Sequence, residues 1–128
     1  MATEKEKSSI AENFIAALRN RDWKHLHTLF TEDAVWTLPG SSLISGEAQG
    51  ADAVVARAQL ITSYNLTFTL KHLLIGQYGV ALSLNNTAQC DGKILDEHRA
   101  TVLSLRDGKI ARIDTYLSDV DMANAYFV

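Results

Sequence analysis

Two dipeptides, Asp91-Gly92 and Asp107-Gly108, separate three runs in which apolar residues recur at every second position, and that pattern leaves the C-terminal half little choice of fold. Both suit the two-residue hairpin turn, whose central residues need positive φ: glycine has no Cβ to clash, and aspartate tolerates the left-handed region. Val80, Leu82 and Leu84 alternate with Ala81, Ser83 and Asn85 before the first turn; a strand over about 94–105 lies between the turns, and another over 109–117 follows. Upstream, Leu66, Phe68, Leu70, His72 and Leu74 alternate with Thr67, Thr69 and Lys71. Strands joined this way form an antiparallel meander with one half-buried face.

The N-terminal half has a different period. Ser9 and Glu12 have the spacing of a capping box, and Ile10, Phe14, Ala17 and Leu18 behind them recur at helical spacing, which predicts a helix over 9–19 and leaves 1–8 as a flexible N-terminus. Asn20 is expected to end it in a left-handed turn. Asp22 then caps a second helix carrying Trp23, Leu26, Leu29 and Phe30, closed by Thr31, Glu32 and Asp33. A short strand over 34–38 stops at Pro39-Gly40, and Gly46 and Gly50 punctuate a loop before a third helix over 51–61. Ser118 and Asp119 offer caps to a last helical turn bearing Val120, Ala123, Tyr126 and Phe127. With 128 residues there is room for one core, so helices first and strands after predict a single α+β domain over 1–128, its three N-terminal helices laid on one face of a curved sheet.

Composition removes several classes of function. A net charge of −3 with Lys and Arg scattered along the chain provides no basic face for phosphates, which argues against nucleic acid. No apolar run approaches the ~20 residues that span a bilayer, and the opening MATEKEKSS lacks an apolar segment, so a cytoplasmic protein without membrane contact is expected. Cys90 is alone and reads as a thiol in a strand. His25 and His27 stand two apart on a helix and point to different sides, so neither a metal site nor a cofactor is expected.

The helix-helix-strand-helix order, the segment HLHTLFTEDAVWTLPG, the G-x-x-x-G of Gly46 and Gly50 and the terminal RDGKIARIDTYLSD together resemble the nuclear-transport-factor-2-like superfamily, nearest its SnoaL-like polyketide cyclases and ketosteroid isomerases. The resemblance covers nearly the whole chain. It implies a cone-shaped, cystatin-like α+β barrel, a deep pocket, and a homodimer through the outer sheet face. It implies no reaction, because the superfold hosts isomerases, dehydratases, cyclases, epoxide hydrolases and proteins without chemistry. Laid on the isomerase pattern, Leu38 falls where the carboxylate base belongs, Thr101 where the neutral acid belongs and Phe14 where the tyrosine belongs. Leu and Phe can neither remove a proton nor donate to an enolate. The Asp-Arg-Asp set of the epoxide hydrolases corresponds to Leu84, Leu82 and Thr115, and that chemistry is missing too. The strand histidine of scytalone dehydratases corresponds to His72, while their helix aspartate corresponds to Arg19.

His72 is therefore one catalytic candidate: its alternation places it with Leu66, Phe68 and Leu70 on an apolar face, where a desolvated imidazole could take or give a proton near neutrality, or could simply be a core histidine tied to a carbonyl. Arg99 is the other. With Glu97 and Thr101 it shares the face that the resemblance turns inward, and a guanidinium beside a carboxylate could hold a carboxylate or enolate oxygen, although a surface salt bridge is the favoured reading of the pair. Phe14, Leu18, Trp36, Leu38, Leu84, Glu97, Thr101 and Thr115 are the expected ligand-binding wall, which suits a small hydrophobic molecule. Asp114 and Arg112 face the other way, toward a dimer partner. Proton-transfer chemistry on a carbonyl-bearing compound, by isomerisation, cyclisation or dehydration, stands as one functional reading; a non-catalytic dimeric binding or accessory protein stands as the alternative.

Overall fold

In the computed structural model, which describes residues 2–128, helix α1 (Glu4–Asn20) starts more than one turn earlier than the Ser9 box predicts. The same Thr/Ser-x-x-Glu signature occurs at Thr3 and Glu6, and that copy is the one used: Thr3 Oγ1 accepts from Glu6 N–H at 3.1 Å and donates to Glu6 Oε1 at 3.1 Å. Residues 4–8 are thus helical instead of flexible, and Lys7 is buried. Its Nζ donates to the carbonyl oxygens of Gly76 at 2.7 Å and Gln77 at 3.0 Å, pinning the helix to a distant turn of the sheet. Lys7→Met keeps the stem and leaves those bonds unmade, so unfolding in urea is expected to show a loss of about 1.5–3 kcal/mol, the worth of charge-assisted hydrogen bonds.

Arg21, not Asn20, takes the left-handed conformation after α1, at φ 54°. Helix α2 (Trp23–Thr28) is capped by Asp22, which accepts from His25 N–H, and is shorter than predicted. Phe30 leaves it to begin strand β1 (Phe30–Leu38), where its ring meets Phe14 edge-on with centroids 6.2 Å apart. A strand not foreseen in the glycine-punctuated loop, β2 (Gly46–Gln49), pairs antiparallel with β1, and α3 (Ala51–Thr62) follows.

The meander is as expected: β3 (Thr67–Ile75), β4 (Gly79–Cys90), β5 (Lys93–Arg106) and β6 (Lys109–Leu117), with φ of 51° and 78° at Asp91 and Gly92 and 52° and 78° at Asp107 and Gly108. Helix α4 (Val120–Tyr126) closes the chain, capped by Asp119 accepting from Met122 N–H at 2.9 Å. The six strands run β2-β1-β6-β5-β4-β3, so β2 and β3 are edges and the curved sheet stays unclosed. Its pairs are antiparallel except β1 with β6, which is parallel because the chain passes from β1 through α3 and the whole meander before it returns. Alternation sorts the faces: Val80, Leu82, Leu84 and Asn86 of β4 are buried, as are Leu95, Glu97, Arg99, Thr101 and Leu103 of β5 and Ile113 and Thr115 of β6. The buried stripes of α1 and α3 belong to the same core.

Candidate functional site

Where α1 and α3 pass over the bend of the sheet the core does not fill completely. Phe14, Ile15 and Leu18 of α1 and Ala58, Ile61 and Thr62 of α3 roof a hollow of about 40 Å³; Trp36, Leu84, Asn86, Arg99 and Thr101 form its floor, and Leu66 and Phe68 one side. A space of this size holds a few water molecules. A second hollow of about 250 Å³ shares Leu18, Thr62, Leu66 and Phe68 with it and extends to the exposed Arg19, Arg21 and Thr67.

The floor is apolar except at one place. Leu84 stands opposite Arg99 and Asn86 opposite Glu97 across the β4–β5 ladder, so these side chains rise from one face. Arg99 is 5% exposed and Glu97 1%, and a guanidinium NH2 of Arg99 donates to Glu97 Oε1 at 2.6 Å. Burial holds the Arg99 guanidinium below its ordinary pKa, with Glu97 pulling it back; burial likewise pushes the Glu97 carboxyl up, with Arg99 opposing. Three atoms of this cluster have no hydrogen-bond partner among the described residues: Arg99 Nε, Glu97 Oε2 and Asn86 Oδ1. Beside them Trp36 Nε1 donates to Thr115 Oγ1 at 2.8 Å, which holds the indole against the floor. An unmade donor and an unmade acceptor on adjoining strands, each costing about 1–3 kcal/mol when buried, are the polar contacts that an apolar cavity needs to orient a guest.

Residues 11–113 match the model of the SnoaL-like domain. The chain belongs to that family. Among its relatives, an uncharacterized protein of Mycobacterium tuberculosis is 27% identical over 108 residues, covering 81% of this chain and 82% of the relative. Bal32a, from a soil-derived mobile gene cassette, has a similar structure, with a TM-score of 0.90 at 26% identity over 97% of this chain and 98% of that one. RV0760c of Mycobacterium tuberculosis, solved in complex with estradiol-17beta-hemisuccinate, superposes with a TM-score of 0.77 at 20% identity over 91% of this chain and 96% of that one, a likeness of fold.

In this SnoaL-like chain, Phe14, Leu18, Trp36, Leu84 and Thr101 of the expected wall line the hollow, as does the catalytic candidate Arg99. Leu38, Glu97 and Thr115 are buried but lie behind that surface, Glu97 reaching it through Arg99 and Thr115 through Trp36. The Glu97–Arg99 pair is internal, not the surface bridge favoured from sequence, because both side chains lie on the buried face of β5, the strand that α4 packs against.

His72 is the largest correction. Leu70 pairs with Leu84 but His72 pairs with Ser83, so β3 carries one extra residue, Lys71, against β4. That bulge inverts the alternation: Leu66, Phe68 and Leu70 face in, then Leu73 does, and His72 and Leu74 are exposed on the other side. The desolvated imidazole that the catalytic reading of His72 required is absent. Asn86 was missed, although it continues the parity of Val80, Leu82 and Leu84 by one step and that signal was present in the sequence. Asp114 faces outward as expected. Burial tends to raise its pKa, but hydrogen bonds from Arg112 and Thr37 outweigh this and leave it lowered. Among the described residues no helix is long and apolar enough to cross a membrane, and no group of three His, Cys, Asp or Glu side chains is placed to hold a metal.

Proposed function

We propose that this protein binds a small hydrophobic molecule that carries a carbonyl-type oxygen, with its apolar body in the outer hollow beside Leu18, Leu66 and Phe68 and its oxygen reaching through the small inner hollow to Arg99. The carrying observation is the unpaired Nε of a guanidinium 5% exposed on the floor of an otherwise apolar hollow. A donor so placed gains a charge-assisted hydrogen bond without having to leave water, because folding has already desolvated it. The RV0760c complex with estradiol-17beta-hemisuccinate supports the same use of the fold. Exposed Leu74, Ile94 and Tyr116 on the outer sheet face support the homodimer that the family resemblance implies.

The test compares acetylnaphthalene with naphthalene by calorimetric or fluorescence titration. The carbonyl-bearing probe is expected to bind about tenfold or more tightly than the bare ring, and Arg99→Met to remove that preference, since a hydrogen bond to a charged group is worth about 1.5–3 kcal/mol. Equal binding of the two probes to the parent protein would count against Arg99 as the anchor.

A second reading, proton transfer of the isomerase, cyclase or dehydratase type, is favoured by one further observation. Glu97 has an unpaired Oε2 and a carboxyl pushed up by burial, properties suited to an acid or base. It stands behind Arg99, whose guanidinium is able to stabilise an enolate, so proton transfer requires the Arg99 side chain to move aside and open Glu97 to the guest. Glu97 then takes the role first given to His72. Exchange of the acetyl protons of bound acetylnaphthalene with heavy water, followed by NMR, distinguishes the two: exchange lost in Glu97→Gln supports turnover, and no exchange in the parent leaves a non-catalytic binder.

A further inference from the structure

The hollow has a charged mouth in an acidic chain. The outer cavity of about 250 Å³, which shares Leu18, Thr62, Leu66 and Phe68 with the inner one, is also lined by Arg19 and Arg21, and no carboxylate among the described residues lines it. Neither arginine is in an ion pair among the described residues, whereas Arg99, Arg106 and Arg112 each are. Both are nevertheless held in place. Arg19 lies over the Phe68 ring, 5.4 Å from its centroid, and donates to the Phe68 carbonyl oxygen at 3.2 Å. Arg21 sits at the left-handed end of α1 and donates to the Thr62 carbonyl oxygen at 3.2 Å. Each guanidinium spends one donor on the rim and keeps the others free for a guest. In a chain with a net charge of −3, two anchored cations without an ion-pair partner among the described residues, lining the hollow next to an apolar cavity, are a local reversal of sign that attracts anions.

We propose that the natural ligand is an amphipathic acid: an apolar body that enters between Leu18 and Phe68 and an oxyanion that stays outside on Arg19 and Arg21. This proposal rests on the pocket reading above and adds the chemistry of the ligand's outer end. Two guanidiniums with forked donors suit a carboxylate or sulfonate, and the ligand so oriented presents its far end to Arg99 and Asn86. The class is then a compound polar at both ends and apolar between.

Anilinonaphthalene sulfonate and phenylnaphthylamine share a ring system and differ in the sulfonate, so their fluorescence titrations separate the mouth from the cavity. The sulfonate is expected to bind about tenfold more tightly at low salt, and to lose that advantage between about 0.02 M and about 0.3 M salt, where exposed charges become screened. Arg19→Ala combined with Arg21→Ala should weaken the sulfonate about tenfold and change the neutral probe less than about twofold, while Lys at both positions should restore most of the loss. Equal affinity of both probes, unchanged by salt and by the paired Ala substitutions, overturns the cationic mouth and leaves the pocket reading standing. Failure of both probes to bind the parent overturns the pocket reading and this proposal with it.

Discussion

Glu97→Ala is expected to lower the stability of this protein by about 3–5 kcal/mol in denaturant unfolding, because it strands the Arg99 guanidinium in an interior where its one ionic partner has gone. A surface pair would cost about 0–1 kcal/mol, so the magnitude itself discriminates. Replacing both residues, Glu97→Met with Arg99→Met, removes the two desolvated charges together and is expected to recover most of the loss, as buried pairs exchanged for apolar side chains of similar volume usually do. A pair that cost nothing to break would mean water reaches it. The pH dependence has a definite sign. Burial raises the folded-state pKa of Glu97 above its ordinary value of 4.5, so between 4.5 and the raised value the folded chain holds a proton that the unfolded chain has released. Stability therefore falls as pH rises through that interval, and Glu97→Gln is expected to flatten the slope. Asp114 works the other way at lower pH: its folded pKa lies below 3.8, so its contribution is present above 3.8 and is lost as pH falls through the lowered value.

Gly79→Ala is expected to be at least as damaging, by about 4 kcal/mol or more, with loss of soluble folded protein as the visible result. A Cβ at Gly79 would overlap the carbonyl oxygen of Leu103 and stand 2.9 Å from its carbonyl carbon, both of them backbone atoms of the paired strand that cannot swing aside. Gly79 opens β4 opposite Ser104, and from that end the ladder counts residue by residue to Leu84 opposite Arg99 and Asn86 opposite Glu97. Displacing it therefore threatens the alignment of the polar cluster as well as the sheet. Gly92, by comparison, has no atom within 4 Å of a would-be Cβ, and there only the positive φ of 78° resists substitution. Gly92→Ala is the control: it should cost about 1 kcal/mol and leave probe binding intact. Equal tolerance at the two glycines would show that β4 and β5 do not approach as closely as described.

Much of the architecture was legible in the sequence because it depends on local rules. The Asp-Gly turns, the caps at Asp22 and Asp119 and the period-two strands are decided by residues within a few positions of one another, and each appears where its pattern predicts. Parity was equally readable wherever a strand ran without interruption: it puts Glu97, Arg99 and Thr101 on one face, the family resemblance turns that face inward, and all three are buried. Three things were not local. The start of α1 at Thr3 instead of Ser9 comes with Lys7 reaching Gly76 and Gln77, some seventy positions away, a contact that neither local capping pattern announces. The parallel pairing of β1 with β6 is a product of the whole chain's path. The bulge at Lys71 carries no mark of its own, yet one inserted residue sends His72 outward, since a strand with a period of two has no way to absorb it. What the residues alone determined is therefore the helices, the meander and the residues that share a face of each unbroken strand, while β2 needed its partner β1 to become a strand. Which polar groups meet beneath the helices, and that the meeting point is Arg99, Glu97 and Asn86 instead of His72, was decided by packing between distant segments, because burial and register are properties of contacts that no short stretch of chain contains.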